Sequence, residues 1–217
     1  MMNNLLAHEI NAMLQPYREY FEIKEDGTSQ TKLSNTGRVG FFNERVFGVD
    51  PNSSRLADLG FTELKTFTTD MSKGRIHFSD LCVGQMTRSE YAGVASGDIT
   101  CLQDLQIYKK MVDITIIAFE KKYVNRVPHY RCVDWKRLNL NDIKLSFLRQ
   151  LEQDFAHCAA AIKFYTYDEL SQAGASRIPT EFLKLSTKGD RDYTYPIWTL
   201  SSRWVNFMFN HSEQLTR

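Results

Sequence analysis

The sequence predicts an α/β domain of the α+β kind, with a central mixed sheet flanked by helices. Three stretches carry that prediction. Asp113-Ile114-Thr115-Ile116-Ile117-Ala118-Phe119 is the most apolar run in the chain, and its shortness and β-branched content fit a strand buried on both faces. Gly60 to Phe67 alternates and carries Thr and Phe, which favour extended backbone. Asn141 to Ala161 places Leu145, Leu148, Leu151, Phe155 and Cys158 three or four apart, the period of an amphipathic helix.

The other elements follow in order. Leu6, Ile10, Met13, Leu14 and Tyr17 fall at helical spacing over residues 4–20, with Asn3 or Asn4 as cap and Pro16 as kink or end. The polar stretch Glu25 to Asn35 predicts a loop. Gly37 to Phe47 predicts a helix whose apolar side is Val39, Phe42, Val46 and Phe47, ended by Gly48. Asp50 to Ser54 is rich in turn formers. Thr68 to Gly74 predicts a hairpin loop, Arg75 to Phe78 a return strand, and 84–100 a loop rich in Gly, Ser and Thr. Asp104 to Met111 reads as a short helix, and Tyr130 to Trp135 as a strand beside the buried one. Glu181 to Leu185 is a strand, Ser186 to Tyr195 a loop, and Ser201 to Phe209 a closing helix with Trp204, Phe207 and Met208.

Composition sets outer bounds. With 217 residues, 42% hydrophobic and 24% charged, the chain can bury one good core and fold as two lobes of one domain. Lys+Arg of 27 against Asp+Glu of 26 gives a net charge of +1, so no global field marks a nucleic-acid binder, although a cleft can collect basic residues locally. Cysteines at 82, 101, 132 and 158 form no C-x-x-C, which argues against a zinc ribbon or redox pair and for free thiols in a reducing compartment. The histidines at 8, 77, 129, 157 and 211 form no ligand-spaced pair. The first ten residues have no basic leader, and nowhere do about 18 apolar residues run together, so the expectation is a cytoplasmic protein with no membrane partner.

The chemistry centres on Glu63 and Lys65, which a period of two puts on one face of a strand. Such a pair is either a surface ion pair or a site where the carboxylate holds a divalent metal and the ammonium steadies a nucleophilic water. The stretch Gly37-Arg38-Val39-Gly40-Phe41-Phe42-Asn43-Glu44-Arg45-Val46-Phe47-Gly48, followed by Ala57-Asp58-Leu59-Gly60-Phe61-Thr62-Glu63-Leu64-Lys65-Thr66, resembles the active-site region of the MutH-like endonucleases. That family joins a mismatch-repair nicking enzyme with GATC-cutting type II restriction endonucleases within the PD-(D/E)xK nuclease fold. Its pattern is a helix ending in V-G-x-x-x-E-x-x-x-G, a loop Asp, and a strand carrying G-x-E-L-K. Tyr108-Lys109-Lys110-Met111 before the buried strand is similar to the family's lysine there. Leu185-Ser186-Thr187-Lys188-Gly189, then Ile197 to Trp204, is similar to the DNA-reading segments of the restriction branch.

The resemblance implies a restriction-endonuclease-like fold over residues 1–217, with two lobes around a DNA cleft: a catalytic lobe of about 1–120 and a recognition lobe of about 121–217. It implies a Mg²⁺-dependent endonuclease cutting double-stranded DNA, with GATC as the guessed site. Asp58 and Glu63, with the Leu64 carbonyl, would hold Mg²⁺. Lys65 would orient the attacking water, Glu44 would bind a metal-bound water or second metal, and Lys110 would contact the phosphate near the cut. Ser186, Thr187 and Lys188 would enter the major groove, with Arg191 and Arg203 on phosphates and Trp198 in the same DNA-binding segment. One departure stands out. The family's metal-binding Asp lies seven before the Glu, where this chain has Leu56; Asp58 lies five before, and Asp50 is the alternative. A catalytically inactive DNA-binding relative and a strand-nicking repair endonuclease therefore remain as readings, and a homodimer on DNA is a further expectation.

Overall fold

The structure, a computed structural model, describes residues 7–23, 35–48, 62–69, 78–171, 178–189 and 194–211. Its helices are α1 (Ala7–Leu14), α2 (Asn35–Val46), α3 (Arg88–Ser96), α4 (Tyr108–Met111), α5 (Leu145–Ile162), α6 (Tyr167–Glu169) and α7 (Ser202–Asn210). Its strands are β1 (Phe21–Glu22), β2 (Glu63–Thr69), β3 (Leu81–Gln85), β4 (Asp113–Val124), β5 (Val127–Asn139), β6 (Leu183–Gly189) and β7 (Thr194–Leu200). The chain divides into two compact units, each made of two stretches: 1–77 with 113–137, and 78–112 with 138–217.

The first unit carries a mixed sheet in the order β1-β5-β4-β2. β2 runs parallel to β4, with Glu63 beside Ile114 and Thr69 beside Glu120, and β1 pairs antiparallel with β5. Both faces of β4 are buried from Asp113 to Phe119, as its β-branched composition predicts. The strand then continues past the predicted end to Val124 and turns through Asn125 and Arg126, both at positive φ, into β5. Two such residues in succession make the primed turn that matches the twist of a hairpin. α1 and α2 lie over one face, where Ile10, Leu14, Val39 and Phe47 pack with Leu64, Ile117, Phe119, Tyr130 and Cys132. Each large apolar side chain so buried contributes roughly 1.5–3 kcal/mol. Tyr17, Phe21 and Phe42 close the margin, with ring centroids 4.9–5.0 Å apart. Pro16 ends α1 by passing it into a 3-10 turn over Gln15–Tyr17. Gly48 ends α2 at φ +70, its N–H donating to the Arg45 carbonyl at 3.0 Å.

The second unit carries an antiparallel sheet in the order β3-β7-β6. α5 is fixed to it by Phe155 against Trp198 and by Asp154, a buried carboxylate that accepts the N–H groups of Glu181 (3.0 Å), Phe182 (2.6 Å) and Leu183 (2.9 Å). α7 starts on Ser201, whose Oγ accepts the Trp204 N–H at 3.2 Å and donates to the Glu181 carbonyl at 2.5 Å.

Several expectations are corrected here. The stretch 84–100 is not a loop: it holds the end of β3 and all of α3, capped by Thr87 at its start and by Gly97 in left-handed conformation at its end. Its Gly93 lets Ile99 pack closely on the helix, since a Cβ there would stand 2.9 Å from Ile99 Cδ1 and would push that side-chain end aside. The loop expected over 186–195 is largely strand, because β6 stays paired with β7 out to Gly189 opposite Thr194. The single helix expected over 104–111 resolves into a 3-10 turn at Leu102–Asp104 and α4. Phe78 lies outside any strand, and 75–77 lie outside the described residues. No described helix is long and apolar enough to cross a membrane.

Candidate functional site

β2 presents Glu63 and Lys65 on one side and Leu64 and Thr66 on the other. Leu64 joins the core under α1 and α2. Glu63 is 0% exposed, and its Oε1 stands 2.5 Å from Lys65 Nζ, whose side chain is 23% exposed. This is a carboxylate held out of water with its counter-charge two residues away, not a solvated surface pair. The alternation and the face were legible in the sequence; the depth was not.

Glu44 sits on α2, half-buried. Gly40, one turn earlier, brings α2 close to β2: a Cβ on it would stand 3.9 Å from Thr66 Oγ1. Residues four apart share a helix face, so Glu44 lies on the side of α2 that packs on β2. β2 is the outer strand of the described sheet. Lys110 lies on α4, in the second unit, half-buried. Asp58 and its alternative Asp50 lie outside the described residues, as does Arg191.

In the second unit Ser186, Thr187 and Lys188 occupy the outer half of β6, where burial gives way to exposure along the strand. Arg203, 67% exposed at the start of α7, pairs with Glu181 at 3.2 Å. Trp198 is corrected: at 0% exposed and packed on Phe155, its indole has no surface to offer a duplex.

The structure adds a group beside Glu63 that sequence reasoning passed over. Arg137 donates through Nε to Asp113 Oδ1 (2.8 Å) and through Nη2 to Asp113 Oδ2 (2.5 Å) and Thr62 Oγ1 (3.2 Å), while Thr62 Oγ1 donates to Asp113 Oδ2 (3.0 Å). The Asp113 hydrogen bond raises the Arg137 pKa further above its ordinary value. Thr62 precedes Glu63 and Asp113 precedes its register partner Ile114, so this network fastens the chain entering β2 to the starts of β4 and the end of β5. The only sequence signal was an Asp at the head of an apolar run.

The donor chemistry is that of a hard cation. Mg²⁺ keeps several waters and needs one or two carboxylates together with substrate oxygens. Glu63 supplies one such carboxylate, and among the described residues no group of three or more His, Cys, Asp or Glu gathers as an all-protein cage. A single buried carboxylate is a donor that suits Mg²⁺, which fills the rest of its shell with water and substrate oxygens, and does not make a zinc site.

No known protein family matches the chain by its sequence profile, and no curated protein matches it. Among solved structures it is similar to the restriction endonuclease MvaI in complex with its cognate DNA substrate, over 93% of this chain and 94% of that one, at 11% identity and a TM-score of 0.48. At that identity and score the likeness concerns the path of the chain and assigns no residue a role.

Proposed function

We propose that this chain is a Mg²⁺-dependent endonuclease of the type II restriction kind, hydrolysing phosphodiester bonds in double-stranded DNA, with GATC as the site that the sequence resemblance suggests. The observation that carries the reading is the buried Glu63 with Lys65 at 2.5 Å on one face of a strand lying parallel to the buried central strand. That arrangement is what an E-x-K nuclease strand requires. Glu63, the Leu64 carbonyl and Asp58, or Asp50 in its place, would hold the metal. When bound, Mg²⁺ would polarise the phosphodiester and lower the pKa of an attacking water.

The side chains divide the remaining work. Lys65 orients the water and offsets negative charge growing on the phosphorus centre. Glu44 comes from α2 on the Leu64–Thr66 face and would serve as a second acid by reaching round the edge strand β2, and Lys110 holds the phosphate near the cut. The Thr62–Asp113–Arg137 network keeps the backbone of Glu63 in register. Ser186, Thr187 and Lys188 on exposed β6 read base edges, while Arg203 and Arg191 meet phosphates. In this reading residues of about 1–120 supply catalysis and of about 121–217 recognition, in a cytoplasmic enzyme that pairs as a homodimer on its site.

Supercoiled plasmid, unmethylated or adenine-methylated at GATC, incubated with Mg²⁺ or with chelator, tests this directly. Discrete linear fragments in Mg²⁺ alone are the expected result. Open-circular product would replace the reading with a nicking repair endonuclease. Intact plasmid from folded, DNA-binding protein would replace it with an inactive DNA-binding module, which the Leu56 departure favours.

A further inference from the structure

The β4–β5 hairpin ends in a patch whose charge the site above does not use. Between residues 121 and 133 stand Lys121, Lys122, Arg126, Arg131 and His129, with no Asp or Glu. Glu120 neutralises Arg131 at 2.5 Å. Glu22 lies in register beside His129 and Glu19 acts on Arg131, so the cations that remain toward the tip are Lys121, Lys122 and Arg126. The ammonium groups are placed by rings: Lys122 Nζ lies 3.3 Å from the Tyr20 ring centroid, and Lys121 Nζ lies 4.8 Å from that of Tyr123. The turn itself is two residues at φ 50 and 67, a short and stiff connection. Tyr123 is 60% exposed at the tip, with Val124 and Val127 beside it at 40% and 37%.

We propose that this hairpin tip is a second, sequence-independent contact for the phosphate backbone of double-stranded DNA, gripping duplex that flanks the cut site. The charge selects a polyanion, and the exposed tyrosine beside two valines offers sugar-edge contact but too little apolar depth for a bilayer. The register fixes the reach. Glu63 lies beside Ile114, and from there to the tip β4 rises roughly 30 Å at about 3.3 Å per residue. That span covers about nine phosphates of one DNA strand. The choice of DNA as the polyanion rests on the nuclease reading of Glu63; the charge pattern does not.

The test is DNA binding by fluorescence anisotropy in chelator, comparing wild type with the triple variant K121Q/K122Q/R126N across a salt titration. Two duplexes are used, one of about 10 and one of about 40 base pairs, the shorter leaving no flank for the hairpin. On the long duplex the slope of log K against log salt should fall by roughly 2–3 in the variant, and affinity in low salt by at least tenfold. On the short duplex the two proteins should agree. Equal slopes on the long duplex, no duplex binding by wild type, or tighter binding to phosphatidylserine vesicles than to duplex would each overturn the proposal. Should the triple variant lose its melting transition, K121Q/R126N spares the Lys122–Tyr20 contact and is held to the same comparison with a slope change of roughly 2. Cleavage in Mg²⁺ is scored separately: absent cutting with the slope difference intact removes the nuclease reading and leaves the hairpin contact standing.

Discussion

Lys65 sets its ammonium against the buried Glu63 carboxylate, and the two roles of that lysine are separable. Lys65→Ala should lower cleavage by at least 100-fold, about 3 kcal/mol of lost transition-state stabilisation. It should also destabilise the fold by about 2 kcal/mol, because the carboxylate left behind is buried. An exposed site lysine would have contributed little, which is what the sequence alone suggests; the 23% exposure of Lys65 corrects that. The double variant Glu63→Gln with Lys65→Met removes both charges and should regain most of the melting temperature while staying inactive. A double variant as unstable as Lys65→Ala would mean that the loss is one of packing, not charge. The pairing was legible because residues two apart on a strand share a face. The Thr62–Asp113–Arg137 network was not, because its members come from three strands far apart in sequence, and a single chain gives no sign of which distant residues will meet.

At the scale of elements, regular periodicity was legible and local capping was not. α5 and β4 were visible from apolar spacing alone, and α2 from its apolar side and terminal Gly48. α3 was hidden because Ser89, Gly93 and Ser96 read as loop composition; what makes it a helix is the Thr87 cap, whose Oγ1 accepts the Glu90 N–H at 3.1 Å, and the Gly97 terminus. Asp154 was hidden for the opposite reason. It interrupts an apolar face, yet it is the group that fastens α5 to the start of β6 through three backbone N–H groups, while Gln150 Nε2, one turn earlier on the same helix, donates to it at 3.1 Å. Asp154→Ala would leave the Phe182 and Leu183 N–H groups buried without that acceptor and should cost roughly 3 kcal/mol. For a chain of this length that lowers the melting temperature by on the order of 9 °C. Asp154→Asn keeps one oxygen acceptor and should lose less. If Asp154→Ala melts like wild type, the carboxylate is not what holds β6 in place.

Across the whole molecule, thiol reactivity reports which parts of the core are closed. Burial pushes Cys132 up to about 11 and Cys158 up to about 12, while Cys82 and Cys101 stand partly exposed. The Cys101 thiol is itself raised, first by its hydrogen bond to Asp104. A thiol whose pKa is raised by folding stays protonated in the native state, so its contribution to stability is whole below the ordinary thiol value of 9.0 and is lost as pH climbs through the raised value. In a thiol-reagent assay at about pH 8, Cys82 should react first, Cys101 more slowly, and Cys132 and Cys158 only after denaturant is added. Rapid labelling of all four in native protein would show that the two cores open readily.

The chain passes between its two units at 77–78, at 112–113 and again at 137–138. A cut near residue 120, where a sequence reading divides the lobes, would fall inside β4 and separate a strand from itself. A cut at any one crossing leaves the remaining two intact, so each unit stays covalently tied to the other and no half can be lost as a folded piece. Limited proteolysis at 112–113 should therefore give two bands under denaturing electrophoresis and one undivided peak in native size exclusion: the polypeptide is laced through its own halves, and it is released only by unfolding.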